Sequence, residues 1–285
     1  MTADDGFNLS RLGTWTDERE FKVDAERTIA YAEATNDRIS AHLDGSLAPP
    51  VFAVVPVFQI MGEATMSVVP GNLMTKVLHG EHDFRLYRPI EPGEVLTVRA
   101  KPIGISGKDS GVVVTTLAET RGYRGDLVNE QYFVGFFRGG VFDGTVGVPS
   151  PGHTFDESLR NRDPDLTAVQ RFDEDQTFRY SGPAGDPMPI HLDDGFAKSV
   201  GLPGIIIHGL CTVAFISHAL ITNISPDDPA RLKRLAVRFS KPARPQETIT
   251  TRIWRTGRET YAFETAGDEH PDKSVITDGL AGFAP

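Results

Sequence analysis

The sequence predicts an α+β protein built twice in tandem, each copy an antiparallel sheet wrapped around one long buried helix. Three observations carry this expectation. The stretch "IIIHGLCTVAFISHALI" (205–221) is apolar nearly all round, as a helix enclosed by protein is. Strand-like segments follow it: "RLAVRFSKP", "ETITTRIWRT", "TYAFETAG" and "SVITDGLAGFA" alternate or are rich in β-branched and aromatic residues, with "RTGRE" and "GDEHPDK" as turns between them. The same order of features occurs earlier in the chain.

The first half reads "YAEATND" from Tyr31 to Asp37, and the second "YSGPAGD" from Tyr180 to Asp186. His42 follows Asp37 by five positions, as His191 follows Asp186. "LAPPVFAVVPVF" (47–58) matches "GLPGIIIHGLCT" (201–212) as a proline followed by an apolar run. "FRLYRPIEPGEVLTV" (84–98) matches "VRFSKPARPQETITT" (237–251), pairing Arg85 with Arg238, Pro89 with Pro242, Pro92 with Pro245 and Glu94 with Glu247. "VGFF" (134–137) matches "AGFA" (281–284). The expected boundaries are 1–138 for the first repeat, 139–165 for a Gly-, Pro- and Asp-rich linker, and 166–285 for the second repeat. Within the second, "DDGFAKSVGLPG" predicts a short helix capped by Asp193 or Asp194 and ended by Gly201.

Bulk composition narrows the function. With 285 residues the chain can bury a sizeable core. A formal net charge of −10 leaves no global footprint for nucleic acid and disfavours an anionic membrane surface. The single cysteine, Cys211, excludes an intrachain disulfide framework and argues against a cysteine zinc site. "MTADDGFNLS" lacks the basic and apolar regions of a secretory signal, and no apolar run reaches the ~20 residues of a membrane span. A cytoplasmic location is expected. No His-x3-His or Cys-x2-Cys occurs, and no Gly-x-Gly-x-x-Gly follows a strand, so neither a metal nor a bound cofactor is expected.

The chemistry-bearing candidates lie in the second repeat. Asp186 and His191 flank Pro187 and Pro189, which stiffen the loop between them. A His/Asp pair supplies both donor and acceptor near neutral pH, although Asp-Pro is also ordinary turn chemistry. At His208-Gly209 the isoleucines stop and the buried helix begins. A helix N-terminus offers unpaired amides, and Gly209 has no side chain to shield its own, which is the material of an oxyanion hole. In the first repeat these positions hold Val54-Val55, then Pro56, so that copy is read as degenerate and the second as catalytic. His208, Arg238 and Lys241 are candidate substrate contacts. Arg238 shares a strand face with Arg234 while Lys241 falls on the other, so a phosphate-bearing ligand competes with a solvated edge or an ion pair. Cys211 reads as a core residue and His218 as structural or surface.

"YSGPAGDPMPIHLDDGFAKSVGLPGIIIHGLCT" (180–212) resembles the signature of the MaoC-like (R)-specific enoyl-CoA hydratases, and the tandem layout resembles their double hot-dog members. The resemblance implies that Asp186 is the catalytic acid, His191 the catalytic histidine and Gly209 the oxyanion amide. Ala184 and Met188 stand where that family has Ser and Asn. The implied reaction is reversible hydration of a trans-2-enoyl-CoA to an (R)-3-hydroxyacyl-CoA, in a homodimer of double hot-dogs whose degenerate halves line the acyl pocket. The competing expectations are a dehydratase for acyl-carrier-protein or branched or dicarboxylic CoA thioesters, a non-catalytic acyl-binding subunit, and a thioesterase on the same fold.

Overall fold

The computed structural model describes residues 6–269 and 273–285; the first residues and the middle of the "GDEHPDK" turn lie outside the described residues. The chain forms two compact units that alternate along the sequence. The first comprises Met1–Lys22, Pro56–Tyr87 and Val95–Gly152, and the second Val23–Val55, Arg88–Glu94 and His153–Pro285.

In the first unit an antiparallel sheet runs β1 (Arg19–Lys22), β3 (Val95–Lys108), β4 (Gly111–Gly122), β5 (Leu127–Arg138) and β2 (Val77–Leu86) in spatial order. Strand β3 alternates buried and part-exposed residues because one face meets the core, while β4, inside the sheet, is buried along most of its length. Helix α3 (Val54–Met66) crosses that face from Pro56 onward, and Thr65 Oγ1 meets Thr116 Oγ1 of β4 at 2.7 Å. Pro56 sits in the helix's first turn, where no intrahelical donor is lost. A short strand, β6 (Thr145–Gly147), pairs with β3. The strap around it passes so close to β3 that side chains at Gly104 and Gly107 would collide with the carbonyls of Val148 and Phe142.

The second unit repeats the plan. Its antiparallel sheet is ordered β8 (Leu232–Phe239), β11 (Ser274–Phe283), β10 (Thr260–Gly267), β9 (Thr248–Arg255) and β7 (Leu166–Arg171). Helix α6 (Gly209–Ile224) is buried from Leu210 through Ser217 without a break, as its all-round apolar sequence requires. The two repeats close their turns alike: Glu94 accepts the amide of Glu91, and Glu247 accepts the amide of Arg244, each at 2.8 Å. The equivalence of Glu94 and Glu247 seen in sequence is therefore one carboxylate capping one turn, twice.

The second unit also takes in helices from the first repeat, α1 (Ala25–Ala34) and α2 (Ser40–Leu43). Helix α1 packs on α4 (Gln176–Ala184), its counterpart, and the Tyr31 and Tyr180 hydroxyls meet at 3.2 Å. Burial pushes both phenols up, so each is a neutral hydroxyl. The predicted 139–165 stretch holds β6 and, further on, Phe155, which packs on Trp254 and Ala262. Asp278, at φ +50° in a bulge of β11, accepts the Phe155 amide at 2.8 Å. Among the described residues no helix is long and apolar enough to cross a membrane.

Candidate active site

The site is assembled by three local devices. Helix α4 ends at Gly185, whose φ of +72° is the left-handed cap that glycine adopts without strain. The next residue, Asp186, is tied back to the helix: its amide donates to the Ser181 carbonyl at 3.1 Å, and its carbonyl accepts from Ser181 Oγ at 2.8 Å. Beyond it, Pro189 opens a 3-10 turn, Pro189–His191, which turns His191 inward to 7% exposure. Helix α5 (Asp194–Ser199) then begins on an Asp193 cap at 2.8 Å to the Phe196 amide, while Asp194 pairs with Lys198.

His191 Nδ1 donates to the carbonyl of Ile206 at 2.8 Å. That fixes its tautomer and leaves Nε2 as a lone pair. His208, the residue before α6, stacks on His191 with ring centroids 3.8 Å apart and donates from Nε2 to the Asp186 carbonyl at 3.1 Å. Burial lowers His208 to about 3, with His191 adding to the effect, so it is neutral. Asp186, His191 and His208 offer polar atoms within 4.8 Å of one another.

Electrostatics drive the acid and base toward their neutral forms. Burial raises the Asp186 carboxyl, opposed by His191 and by the Met188 amide. Burial lowers His191, opposed by the Ile206 carbonyl and Asp186. A carboxyl pushed toward its protonated form beside a histidine pushed toward its neutral form pairs a candidate proton donor with a candidate acceptor. The Met188 amide donates to Asp186 Oδ1 at 3.2 Å while its side chain is 48% exposed. The Asp186 bond is thus made by backbone, and a methionine in that place leaves it intact.

Gly209 is the first residue of α6, and its amide has no acceptor among the described residues. It sits beside the His208 ring, with the positive end of the helix behind it. Its lack of a side chain has a second cause: a Cβ there would lie 2.8 Å from the Phe239 ring.

The donor set could suggest a metal, since two histidines and one carboxylate converge. The rings, however, are stacked at an interplanar angle of 24°. Nearly parallel rings hold their in-plane lone pairs side by side, not aimed at one ion about 2.0–2.1 Å from each.

Asp186, His191, His208 and Gly209, all predicted from sequence, come together. Arg238 and Lys241 are not among the side chains bonded or stacked there: Arg238 pairs with Asp278 at 3.1 Å, and Lys241 is exposed in the turn after β8. Sequence reasoning missed Ile206, Ser181, Tyr180 as the ring beside His208, and Phe239. Tyr180 and Ser181, six and five positions before Asp186, carried a local spacing signal, Tyr180 through its match to Tyr31. Cys211 is fully buried, as expected for a core residue, and His218 is half-buried, with Nε2 at 3.1 Å from the Thr35 carbonyl.

The first repeat's copy of the loop has a different geometry. Asp37 and His42 bond directly, Oδ2 to Nδ1 at 2.7 Å, with both side chains at most 3% exposed. The histidine's Nδ1 is spent on the aspartate, where His191 spends it on a carbonyl. Changing His42 to alanine is expected to lower stability by about 1–3 kcal/mol by stranding Asp37, with kcat per folded molecule unchanged. Thermal melts and active-site-normalised rates check this; a loss of kcat at unchanged melting temperature overturns it.

Comparison with known proteins identifies the family. Residues 153–274 match the MaoC like domain, and 42–139 match the MFE-2 hydratase 2 N-terminal domain. A protein named 3-hydroxyacyl-thioester dehydratase Y from Mycobacterium tuberculosis is 33% identical over 209 residues, covering 71% of this chain and 70% of that protein. Mouse peroxisomal multifunctional enzyme type 2 is 31% identical over 251 residues, covering 83% of this chain. The match takes up about a third of the length of the mouse enzyme and its fly relative. A MaoC-like dehydratase from Phytophthora capsici superposes with a TM-score of 0.84 at 25% identity, covering 97% of this chain and 99% of that one. A second solved structure, described as a double hotdog fold, superposes at 0.62. Fold, loop and relatives agree, and the chain belongs to the MaoC-like family of hydratases and dehydratases.

Proposed function

We propose that the chain adds water reversibly to a trans-2-enoyl-CoA to give an (R)-3-hydroxyacyl-CoA, with the second repeat supplying the catalytic groups. The observation that carries this reading is the tautomer lock on His191. With Nδ1 on the Ile206 carbonyl, Nε2 is left as the proton acceptor of a ring that clusters with the Asp186 carboxyl. Water attacks C3 as His191 Nε2 takes one of its protons, and Asp186 delivers a proton to C2. The thioester oxygen gains charge meanwhile, and the Gly209 amide at the helix N-terminus stabilises it. The relatives named enoyl-CoA hydratase 2 and multifunctional enzyme type 2 support this assignment.

The test is hydration of crotonyl-CoA by the purified full chain, with the product's chirality determined. The expected product is (R)-3-hydroxybutyryl-CoA. Faster turnover of the matched carrier-protein thioester favours the dehydratase reading, free thiol release a thioesterase, and binding without turnover a non-catalytic subunit. Because burial lowers His191, the acid limb of kcat/KM is expected below 6.5, the ordinary histidine value. The base works while His191 is neutral, so the rate persists as pH falls past 6.5 and drops only when the ring protonates. An acid limb at or above 6.5 contradicts the geometry.

The first repeat encloses the acyl tail, its own Asp37–His42 pair being closed on itself. Arg238 and Lys241 supply positive charge for the phosphates of CoA. A cytoplasmic location fits the single, buried cysteine. A homodimer fits the exposed Val169 on β7, an end strand of the second unit's sheet; light scattering tests it.

A further inference from the structure

The two Asp–His loops start from one scaffold and end in different states. In each, the aspartate amide donates to the helix carbonyl five residues back, Asp37 to Ala32 at 3.0 Å and Asp186 to Ser181 at 3.1 Å. In each, carboxylate Oδ1 accepts the amide two residues on, from Ile39 at 2.8 Å and from Met188 at 3.2 Å. The second carboxylate oxygen separates them. Asp37 turns its Oδ2 onto His42 Nδ1. Among the described residues the Asp186 carboxyl makes no bond to His191, whose Nδ1 is on the Ile206 carbonyl.

What differs upstream is the aspartate's own carbonyl. That of Asp186 accepts two side-chain donors, Ser181 Oγ at 2.8 Å and His208 Nε2 at 3.1 Å. The first repeat has neither donor. Ser181 follows Tyr180, and Ala32 follows Tyr31. The counterpart of His208 is set by a shared bond just before each helix. Ile207 and Ala48 donate to the carbonyls of Ala243 and Ile90, at 2.8 and 3.0 Å, and these acceptors follow the matched prolines Pro242 and Pro89. The next residue in each copy is the extended one before the helix: His208 at φ −57°, ψ 129° and Pro49 at φ −54°, ψ 141°. Sequence matching had set Val54 opposite His208; the longer second loop, which carries α5, displaces that match. Alanine, proline and valine alike have no side-chain donor.

The histidine at 208 does more than fill space. Its ring is 1% exposed, stacked on His191 and 4.9 Å from the Tyr180 ring. Its Nδ1 is buried with no partner among the described residues. A stranded buried polar atom costs about 1–3 kcal/mol. Phenylalanine gives the same stack with no stranded nitrogen, so the bond to the Asp186 carbonyl is what histidine adds.

We infer that Ser181 and His208 are positioning residues that together clamp the Asp186 carbonyl and so hold its carboxyl off His191, leaving acid and base to face substrate instead of each other. This rests on the hydratase reading. The donors come from two elements, α4 and the residue ahead of α6, and Pro187 restricts the backbone that follows. Without the clamp, Asp186 is free to turn onto the ring as Asp37 does. A closed pair is poor at this chemistry: the carboxylate favours the protonated imidazole, which occupies the base and leaves the acid without its proton.

The test titrates the His191 ring by NMR in the substrate-free full chain, its signal among eight histidines assigned by its loss in His191→Gln. The titratable groups that face this ring are Asp186 and His208. The wild-type midpoint is expected below 6.5. In Ser181→Ala with His208→Phe the midpoint is expected to rise by about one unit or more. The acid limb of kcat/KM rises with it, and kcat falls by about 10²-fold. Adding Asp186→Asn is expected to abolish the rise, since no carboxylate remains to close. His208→Gln, whose amide nitrogen is placed much as Nε2 is, is expected to keep the wild-type midpoint. An unchanged midpoint in the clamp variants overturns the inference, as does a rise that persists with Asp186→Asn, which loosened packing alone gives. A rise in His208→Gln equal to that in His208→Phe also overturns it. If the double variant does not fold, the two single variants carry the same comparison. The titration needs no turnover, so a chain that hydrates nothing fails the hydratase reading, and a midpoint that does not move fails the clamp.

Discussion

Replacing His191 with glutamine is expected to lower enoyl-CoA hydration by about 10²–10⁴-fold with the fold intact. Glutamine fills similar space, and its amide nitrogen can still donate to the Ile206 carbonyl that now fixes His191. What it cannot do is accept a proton. The partner change, Asp186→Asn, is expected to have a similar effect for the complementary reason. Its amide oxygen can still accept from the Met188 amide, so the loop between the two prolines holds its shape. The residue then has no carboxyl proton to deliver. Steady-state rates on crotonyl-CoA with circular dichroism of both variants check this. Near-normal turnover in either one removes that residue from the chemistry.

The second large effect is expected from Gly209→Ala. A Cβ at this position would lie 2.8 Å from Phe239, so the start of α6 or the ring must move. Overpacking of this kind costs about 1–3 kcal/mol of stability. It also displaces the amide meant to meet the thioester oxygen, and a shift near 1 Å can cost about 10²-fold in rate. The stability loss has a packing origin and the rate loss an electrostatic one, and Phe239→Leu in the same chain separates them. Shortening the ring relieves the collision, so the melting temperature recovers. Activity is expected to recover with it if the amide returns to its place. An alanine variant that keeps wild-type kcat removes the Gly209 amide from the mechanism.

The fold class was legible because its strongest determinant is local. Helix α6 is apolar on every side, and no amphipathic reading competes with it. The repeat was legible because Tyr, Asp and His recur at fixed spacing. The transfer of residues 23–55 into the second unit left no such signal, since it depends on which helix α1 packs against and not on what α1 is. The Asp–His loops show the limit most clearly. Their spacing is identical, yet Asp37 binds its histidine and Asp186 does not, because the Ile206 carbonyl arrives from fifteen residues downstream to take His191 Nδ1. Arg238 was placed by strand parity, but its partner Asp278 sits in a β-bulge at positive φ, which alternation cannot foresee. Phe239 sets the need for glycine at 209 from thirty positions away, on another element.

The contact between the Tyr31 and Tyr180 hydroxyls is a residue meeting its own counterpart. Such self-matching contacts are what a two-fold axis makes between identical chains. Two separate copies held by this seam would part on dilution, and the Asp186 loop at the end of α4 would lose the helix its own helix leans on. Joining the copies into one chain makes their encounter intramolecular, so the seam persists at any protein concentration. It also lets the two loops differ, since a change in one no longer appears in both.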